Sequence, residues 1–564
     1  MSESVRPTTL LALVLVTLVA LGLAASTWRV FGQTWDEPEH LAAGLALLDR
    51  GHYVYDIQHP PLARLALALG PYLAGARSQG LPPPDGKPEG VAILYGGGHY
   101  ELYLTLARAG ALPFLALLVV MTYAWGRTVL GQGAALLAAA FTATTPVVLG
   151  HGALATLDVP AAATCLLALH ATQRWFETGR LGAALWLGVA LGLALGTKLS
   201  AIPFCGLGAL ALAVLRLWER RGRGDPGEPV TPAAWLAGAA AVALVVAAVL
   251  TLAYGGRFIY LTDSSHRFNQ ALWYLFGASG ALHDAAYALA AHVKVPEALQ
   301  WYLGGIEAVT VHNDTGHLSY LLGEERLGGW WYFYVVVLLA KTQLPLLVLG
   351  PPGLVLLARR GLIDRDARRL APPVIFVALL AFASLYSRIN IGVRHILVLY
   401  PLLAVGAAYA LAGAWAALRT AQRGARRTVA LAALALLVAG EAAVVARAWP
   451  DYLAYFNELV ADPERVTVDS DLDWGQDLRR LVARLHELGV PSVALAYSGS
   501  ADLAREALPP FVLLKPDQRA TGWVAVSALA RAEAPRHFDW LAPYPRRERI
   551  GKTIDLYFVP AGEP

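Results

Sequence analysis

The chain has 564 residues, 57% of them hydrophobic and only 15% charged, against about 25% charged in an ordinary soluble globular protein. Its 45 Lys and Arg against 41 Asp and Glu leave a net charge of +4, which excludes a strongly basic nucleic-acid binder. The apolar residues fall in long runs, so a soluble multidomain enzyme is excluded as well, and the sequence reads as an integral membrane protein.

In chain order, runs of about 20 apolar residues predict about eleven transmembrane helices. They fall near 9–30, 105–125, 132–150, 159–175, 181–197, 199–217, 233–255, 329–357, 372–387, 395–417 and 428–447. The first reads as a signal anchor, because only Arg6 precedes it and no clean small-residue cleavage site follows. Cys165 and Cys205 lie inside apolar runs and read as packing residues rather than a disulfide or zinc framework. Basic residues collect in alternate short loops: Arg127; Arg174 and Arg180; Arg216, Arg220, Arg221 and Arg223; Arg359 to Arg369; Arg419 to Arg427. Those loops are expected to be cytoplasmic, which puts the N-terminus inside and the C-terminus outside.

Three external segments are too long to be turns: 31–104, 256–328 and the tail from 448 to 564. The first holds a stretch, HPPLARLALALGPYLAGA (59–76), suited to helices lying in the membrane interface. In the tail, 465–470, 492–499, 522–529 and 553–560 read as strands, and 475–489 as an amphipathic helix. The expected fold is an α-helical polytopic membrane domain over 1–447 and a small soluble α/β domain over 448–564. No internal repeat suggests an inverted-repeat transporter.

Polar residues in the outer loops carry the functional reading. GTKLS holds Lys198, SRINIGVRH holds Arg388, Arg394 and His395, and GHGALATLD holds His151 and Asp158. Any one of these charges is explained by snorkelling near the interface, where burial costs little. Three such loops on one face are less easily dismissed. After the first span, TWDEPEH brings Asp36, Glu37 and His40. As structure alone, this is a helix start with a capping acid and Pro38 in the first turn; as chemistry, it is a carboxylate pair, and its spacing is not that of an HExxH zinc site. YDIQHPPLARL then brings Asp56, His59 and Arg64. It is either a rigid re-entry into the membrane surface or an interfacial helix offering a cation to an anionic headgroup.

The acidic pair at 36–37, HPPLAR at 59–64, the outer-loop Asp158 and the GTK of Lys198 resemble the family 39 glycosyltransferases of the GT-C superfold. That family includes protein O-mannosyltransferases and the aminoarabinose transferases that modify lipid A. The likeness covers about residues 1–220. The stretches 312–345 and 389–401 and the tail's DSDLDWGQDL resemble a bacterial subgroup of family 39-like proteins, and the β-trefoil repeats of protein mannosyltransferases are not seen.

The resemblance implies a multi-pass protein of the bacterial inner membrane. Its donor would be a polyprenyl-phosphate sugar and its acceptor a hydroxyl or phosphate on the outer face. Asp36 would be the base, with a pKa raised by desolvation, and Glu37 would orient the acceptor or substrate. His59, Arg64, Asp158, Lys198, Arg388, Arg394 and His395 would bind substrate, with the cations on the phosphate. No cofactor is required, although Asp36 with Asp158 could hold a divalent ion such as Mg or Mn. Membrane lipids are the other expected partners, and nucleic acid is not one.

Two further features are double-edged. The loop 256–328 carries His266, His283, Asp284, His292, Trp301, Tyr302, His312, Asp314 and His317, read either as an interfacial belt with solvated histidines or as a lid that stacks on a sugar. The alternating acids Asp469, Asp471, Asp473 and Asp477 miss the EF-hand pattern and read as capping acids between a strand and a helix, with substrate contact the lesser option. The competing functional class is a transporter or flippase, which would place its charges near the membrane midplane on broken helices. A non-catalytic assembly protein is the third.

Overall fold

The structure, a computed structural model, describes residues 5–223, 231–263, 273, 275, 277, 279–515 and 517–562; His266 lies outside them. The chain is mostly helical. The first twelve helices are α1 (Pro7–Ala25), α2 (Glu37–Arg50), α3 (Leu62–Leu73), α4 (Gly86–Tyr95), α5 (Tyr100–Ala109), α6 (Leu112–Leu130), α7 (Gln132–Thr144), α8 (Pro146–Gly152), α9 (Asp158–Thr178), α10 (Leu181–Leu195), α11 (Ala201–Arg223) and α12 (Pro232–Ala253). Further long helices run over Leu344–Asp364, Ala367–Tyr386, Leu399–Thr420 and Ala425–Ala448.

Among the described residues, eight helical stretches are long and apolar enough to cross a membrane, and nine if the bent pair α7–α8 forms one span. The eleven expected positions are all helical, but two of them differ in kind from the rest. α10 has only 15 residues. α9 has 21 but carries Thr164, Thr172 and Gln173, all buried. A helix enclosed by other helices meets no lipid, so its surface need not be uniformly apolar. The expected span at 329–357 is divided into Phe333–Lys341 and Leu344–Asp364. Close helix packing uses small residues. A Cβ at Gly353 would run into the backbone of Gly406, which lets Leu344–Asp364 lie directly on Leu399–Thr420.

α2 to α5 fill the segment between α1 and α6, and one buried ion pair fixes their place. Glu37 and Arg108 are each 1% exposed and meet in a two-pronged pair at 2.8 Å. The Glu37 carboxylate also accepts the backbone N–H of Thr34 at 2.8 Å and of Ala155 at 2.9 Å. α3 lies close on α2 because a side chain at Gly44 would meet the carbonyl of Arg64.

Strands β1 (Phe258–Tyr260) and β2 (Lys294–Pro296) pair antiparallel, as do β3 (Leu318–Leu321) and β4 (Glu324–Leu327). The C-terminal sheet contains β5 (Val493–Ala496), β6 (Phe511–Leu513), β7 (Gly522–Ser527), β8 (Glu548–Ile550) and β9 (Ile554–Val559), in the order β6-β5-β7-β9-β8. β5 runs parallel to β6 and β7, and β9 antiparallel to β7 and β8. Three of the four expected tail strands are present, as is the amphipathic helix, at Leu478–Glu487. The fourth is not a strand. Residues 465–470 fall in two short helical turns, Pro463–Val466 and Asp469–Leu472. Pro463 has no N–H for a ladder, and Asp462 caps the first turn by accepting from the Arg465 N–H.

Breaking the Glu37–Arg108 pair is expected to unfold this region. Glu37→Gln strands a buried guanidinium and should cost about 3–5 kcal/mol, seen as a lowered thermal midpoint in detergent. The Glu37→Leu, Arg108→Leu double variant should recover part of the loss. A Glu37→Gln protein as stable as wild type would contradict the assignment.

Candidate active site

A cavity of about 930 Å³ opens where the segment 31–104, the loops that carry Lys198 and Arg394, and the C-terminal segment meet. One end is polar, with Asp36, Glu39, His40, His59, Lys87, Lys198, Arg394, His395 and Asp469 in its wall. The other end is apolar, formed by Ile202, Pro203 and Phe204 of α11, Ile306 and Val309 of the helix Glu297–Thr315, and Phe382 and Ala383 of Ala367–Tyr386.

Arg394 stands at the centre of the polar end. It sits in a single 3-10 turn, Val393–Ile396, which the tail holds from behind. The Asp471 carboxylate accepts the Val393 N–H at 3.0 Å, and Ser470 Oγ donates to the Ile391 carbonyl at 2.5 Å. Arg394 Nη1 donates to Asp36 Oδ2 at 2.7 Å and lies 3.7 Å from Asp158 Oδ2. Its guanidinium stacks 4.3 Å over the Trp474 ring, a cation–π contact in a desolvated setting. Lys198 Nζ donates to the other Asp158 oxygen at 2.6 Å. Asp36 is the N-cap residue of α2, yet its side chain caps nothing and goes to Arg394 instead.

The ion pairing overturns one expectation. Burial would raise the Asp36 pKa, but the adjacent Arg394 guanidinium outweighs it and holds the carboxyl below its ordinary range. Asp469 has no ion-pair partner within 4 Å among the described residues, and burial pushes it up to about 7 against a partial pull from Arg394. Burial also pushes His59 down to about 4, so its ring is neutral near pH 7; among the described residues its Nδ1 has no hydrogen-bond partner.

Of the residues expected from sequence, Asp36, His59, Lys198, Arg394 and His395 line the cavity, with Asp158 behind Lys198 and Arg394 as their shared counter-ion. Three do not line it. Glu37 is turned away into its pair with Arg108. Arg64 is fully buried and ion-paired to Asp56, with its guanidinium also on the Tyr53 hydroxyl, so it is an internal strut and not a cation open to a ligand. Arg388 is exposed and donates to the Asp314 carbonyl at 2.8 Å. In the loop 256–328, His312 and His317 reach the cavity and lie 3.2 Å apart, whereas His283, Asp284, His292, Trp301 and Tyr302 do not line it.

The wall also holds residues outside the expected substrate-binding set, of which the sequence had drawn attention to His40 and Asp469. Glu39 and His40 lie three and four positions after Asp36, the spacing that puts them on its face of the helix, and that signal was available. Lys87, 3.3 Å from Glu39, gave no local signal. Asp469 and Trp474 stood in the acid-rich tail motif, where the capping reading holds for Asp473, at the start of the helix Ala528–Glu533, and not for Asp477, whose side chain makes no cap bond at the start of Leu478–Glu487. Asp473 accepts the Leu529 N–H at 2.9 Å, and Asp477 the Lys552 N–H at 2.9 Å.

The expected divalent site does not fit. Arg394 already stands between Asp36 and Asp158, and no group of three or more His, Cys, Asp or Glu able to hold a metal ion is found among the described residues.

Residues 106–252 match the model of the dolichyl-phosphate-mannose-protein mannosyltransferase family. No curated protein matches the chain by sequence. Among solved structures, ArnT from Cupriavidus metallidurans bound to undecaprenyl phosphate is 15% identical, with a TM-score of 0.48 over 96% of this chain and 97% of that one. The Archaeoglobus fulgidus oligosaccharyltransferase complex with Zn and sulfate is 14% identical, with a TM-score of 0.41 over 76% of this chain and 52% of that one. The S. cerevisiae protein O-mannosyltransferase Pmt1–Pmt2 complex bound to the sugar donor is 19% identical, with a TM-score of 0.35 over 45% and 34%. These structural likenesses are weak. The family match overlaps the later part of the segment that carries the resemblance seen in the sequence, with Asp158 and Lys198 inside it, so residues 106–252 are similar to a family of membrane glycosyltransferases.

Proposed function

We propose that the chain moves a sugar from a polyprenyl-phosphate carrier to an acceptor on the outer face of a bacterial plasma membrane. The observation that carries this reading is the lining of the cavity: apolar side chains on one part, and on the other a group of cations with a carboxylate paired to one of them. A lipid-linked sugar has that same division. Its isoprenoid tail suits the wall of Phe204, Val309 and Phe382, and its phosphate suits Lys198 and Arg394.

In the reaction, the acceptor oxygen attacks the anomeric carbon, the carbon–phosphate oxygen bond breaks, and polyprenyl phosphate leaves with the bonding pair. One displacement inverts the anomeric centre. The leaving phosphate gains negative charge, and cations fixed beside it stabilise the transition state more than the ground state. Among the described residues, Arg394 gives one of its five N–H donors to Asp36, from Nη1, and Lys198 gives one of its three to Asp158. Both cations therefore have donors to spare for phosphate while they keep their carboxylates. Asp36, kept ionised by Arg394, is placed to stabilise the positive charge that grows on the sugar ring. Because Asp36 and Asp158 are committed to Arg394, no step runs through a divalent ion. A flippase would carry its charges near the midplane of broken helices, whereas these cations collect at one end of the cavity.

With a panel of labelled polyprenyl-phosphate sugars, Asp36→Asn should lower transfer by about 10²-fold or more while polyprenyl-phosphate binding persists. Wild-type turnover in that variant would remove Asp36 from the reaction. Lys198→Met and Arg394→Lys should each weaken polyprenyl-phosphate binding about tenfold or more, since arginine's fork and the second cation are both used. Arg388→Ala, outside the cavity, should change binding less than about twofold. A loss at Arg388 equal to that at Lys198 would place the phosphate elsewhere.

A further inference from the structure

Every acidic side chain beside the reacting region is spoken for except on one side. Asp36 is held by Arg394, Asp158 by Lys198, Glu39 by Lys87 and Asp56 by Arg64. The exceptions come from the C-terminal segment. Glu533 is exposed at the rim and accepts from Ser498 Oγ at 3.2 Å. Asp469 is half-buried in the cavity wall, and the hydrogen bond its carboxylate makes among the described residues is to the Ser470 N–H. The short helical turn that carries Asp469 is the one that clamps Arg394, through Ser470 and Asp471, so its position is fixed relative to the cations.

We infer that Asp469 takes the proton of the acceptor during transfer, and that the acceptor is a hydroxyl compound rather than a phosphate. This rests on the glycosyl-transfer reading above. As the acceptor O–C1 bond forms and the C1–O–P bond breaks, the hydroxyl proton passes to the Asp469 carboxylate and then to water, and polyprenyl phosphate departs as the anion. A phosphate acceptor is already anionic, needs no base, and would be repelled by an ionised Asp469. Two carboxylates with opposite environments divide the work. Asp36 is locked ionised by an ion pair, and Asp469 is free to gain and lose a proton near neutrality, where a general base is most effective. The charged and titratable groups that face Asp469 are Arg394 from the turn, Asp36 from the start of α2 and Asp471 from its own segment, with His317 and Glu533 along the same wall.

The test uses the full chain in nanodiscs with labelled polyprenyl-phosphate sugars, octyl glucoside as a hydroxyl probe acceptor and octyl phosphate as its anionic counterpart. Asp469 must be ionised to act, so the wild-type rate should rise about tenfold per pH unit below about 7 and level off above it. Asp469→Asn should lose that limb and run about 10²-fold slower, with polyprenyl-phosphate affinity unchanged. Asp469→Glu should restore turnover with the limb displaced, which a merely structural role would not do. Sugar should pass to octyl glucoside and not to octyl phosphate. An Asp469→Asn enzyme that keeps the acidic limb, or transfer to octyl phosphate, overturns the inference and leaves the donor reading intact. A wild-type chain that neither binds polyprenyl phosphate nor releases sugar from it overturns both.

Discussion

The guanidinium of Arg394 joins parts of the chain that are hundreds of residues apart. Asp36 reaches it from the start of α2, Asp158 from the start of α9, and the Trp474 ring from the tail. A cation that is 9% exposed is tolerated only when its charge is compensated, so these elements must close together around it. Lys198 extends the cluster through Asp158. The polar end of the cavity is the space this cluster leaves.

The same cation sorts the carboxylates around it. Asp36, in direct contact, is held ionised; Asp469, outside ion-pair distance, is governed by burial. One guanidinium thus fixes a negative charge beside a carboxylate that burial leaves able to exchange protons in the same cavity. The apolar end needs no such balance. It is built from helices of the bundle, and its Phe, Ile and Val side chains also suit a polyisoprenoid.

How much of this was legible in the sequence depended on whether a residue's partner was local. Hydropathy located the helices, because lipid solvates apolar surface whatever the neighbours do. The signal is weakest at α9, 21 residues long, where burial within the bundle replaces lipid contact. The cations of the GTKLS and SRINIGVRH loops were found because few charges stand on that face. Asp36 and Glu37 were not separable by sequence. They are adjacent on one helix, and only the position of Arg108, 71 residues on, decides which of them turns inward. Arg64 was assigned to a phosphate because the structure's pairing to Asp56 and Tyr53 leaves no mark in HPPLAR. In DSDLDWGQD the pattern suggested caps, which Asp473 is at the start of Ala528–Glu533 and Asp477 is not, its carboxylate taking the Lys552 N–H instead; the exposure of Asp469 to the cavity comes from how the tail docks on the turn of Arg394.

The central claim is that the cavity holds a polyprenyl phosphate with its phosphate on Lys198 and Arg394. A cryo-EM structure of the full chain in nanodiscs with added polyprenyl phosphate tests it directly. The account predicts phosphate density within about 3 Å of both the Lys198 amine and the Arg394 guanidinium, with isoprenoid density running past Phe204 and Phe382. Lipid density bound elsewhere with this cavity left empty would contradict it.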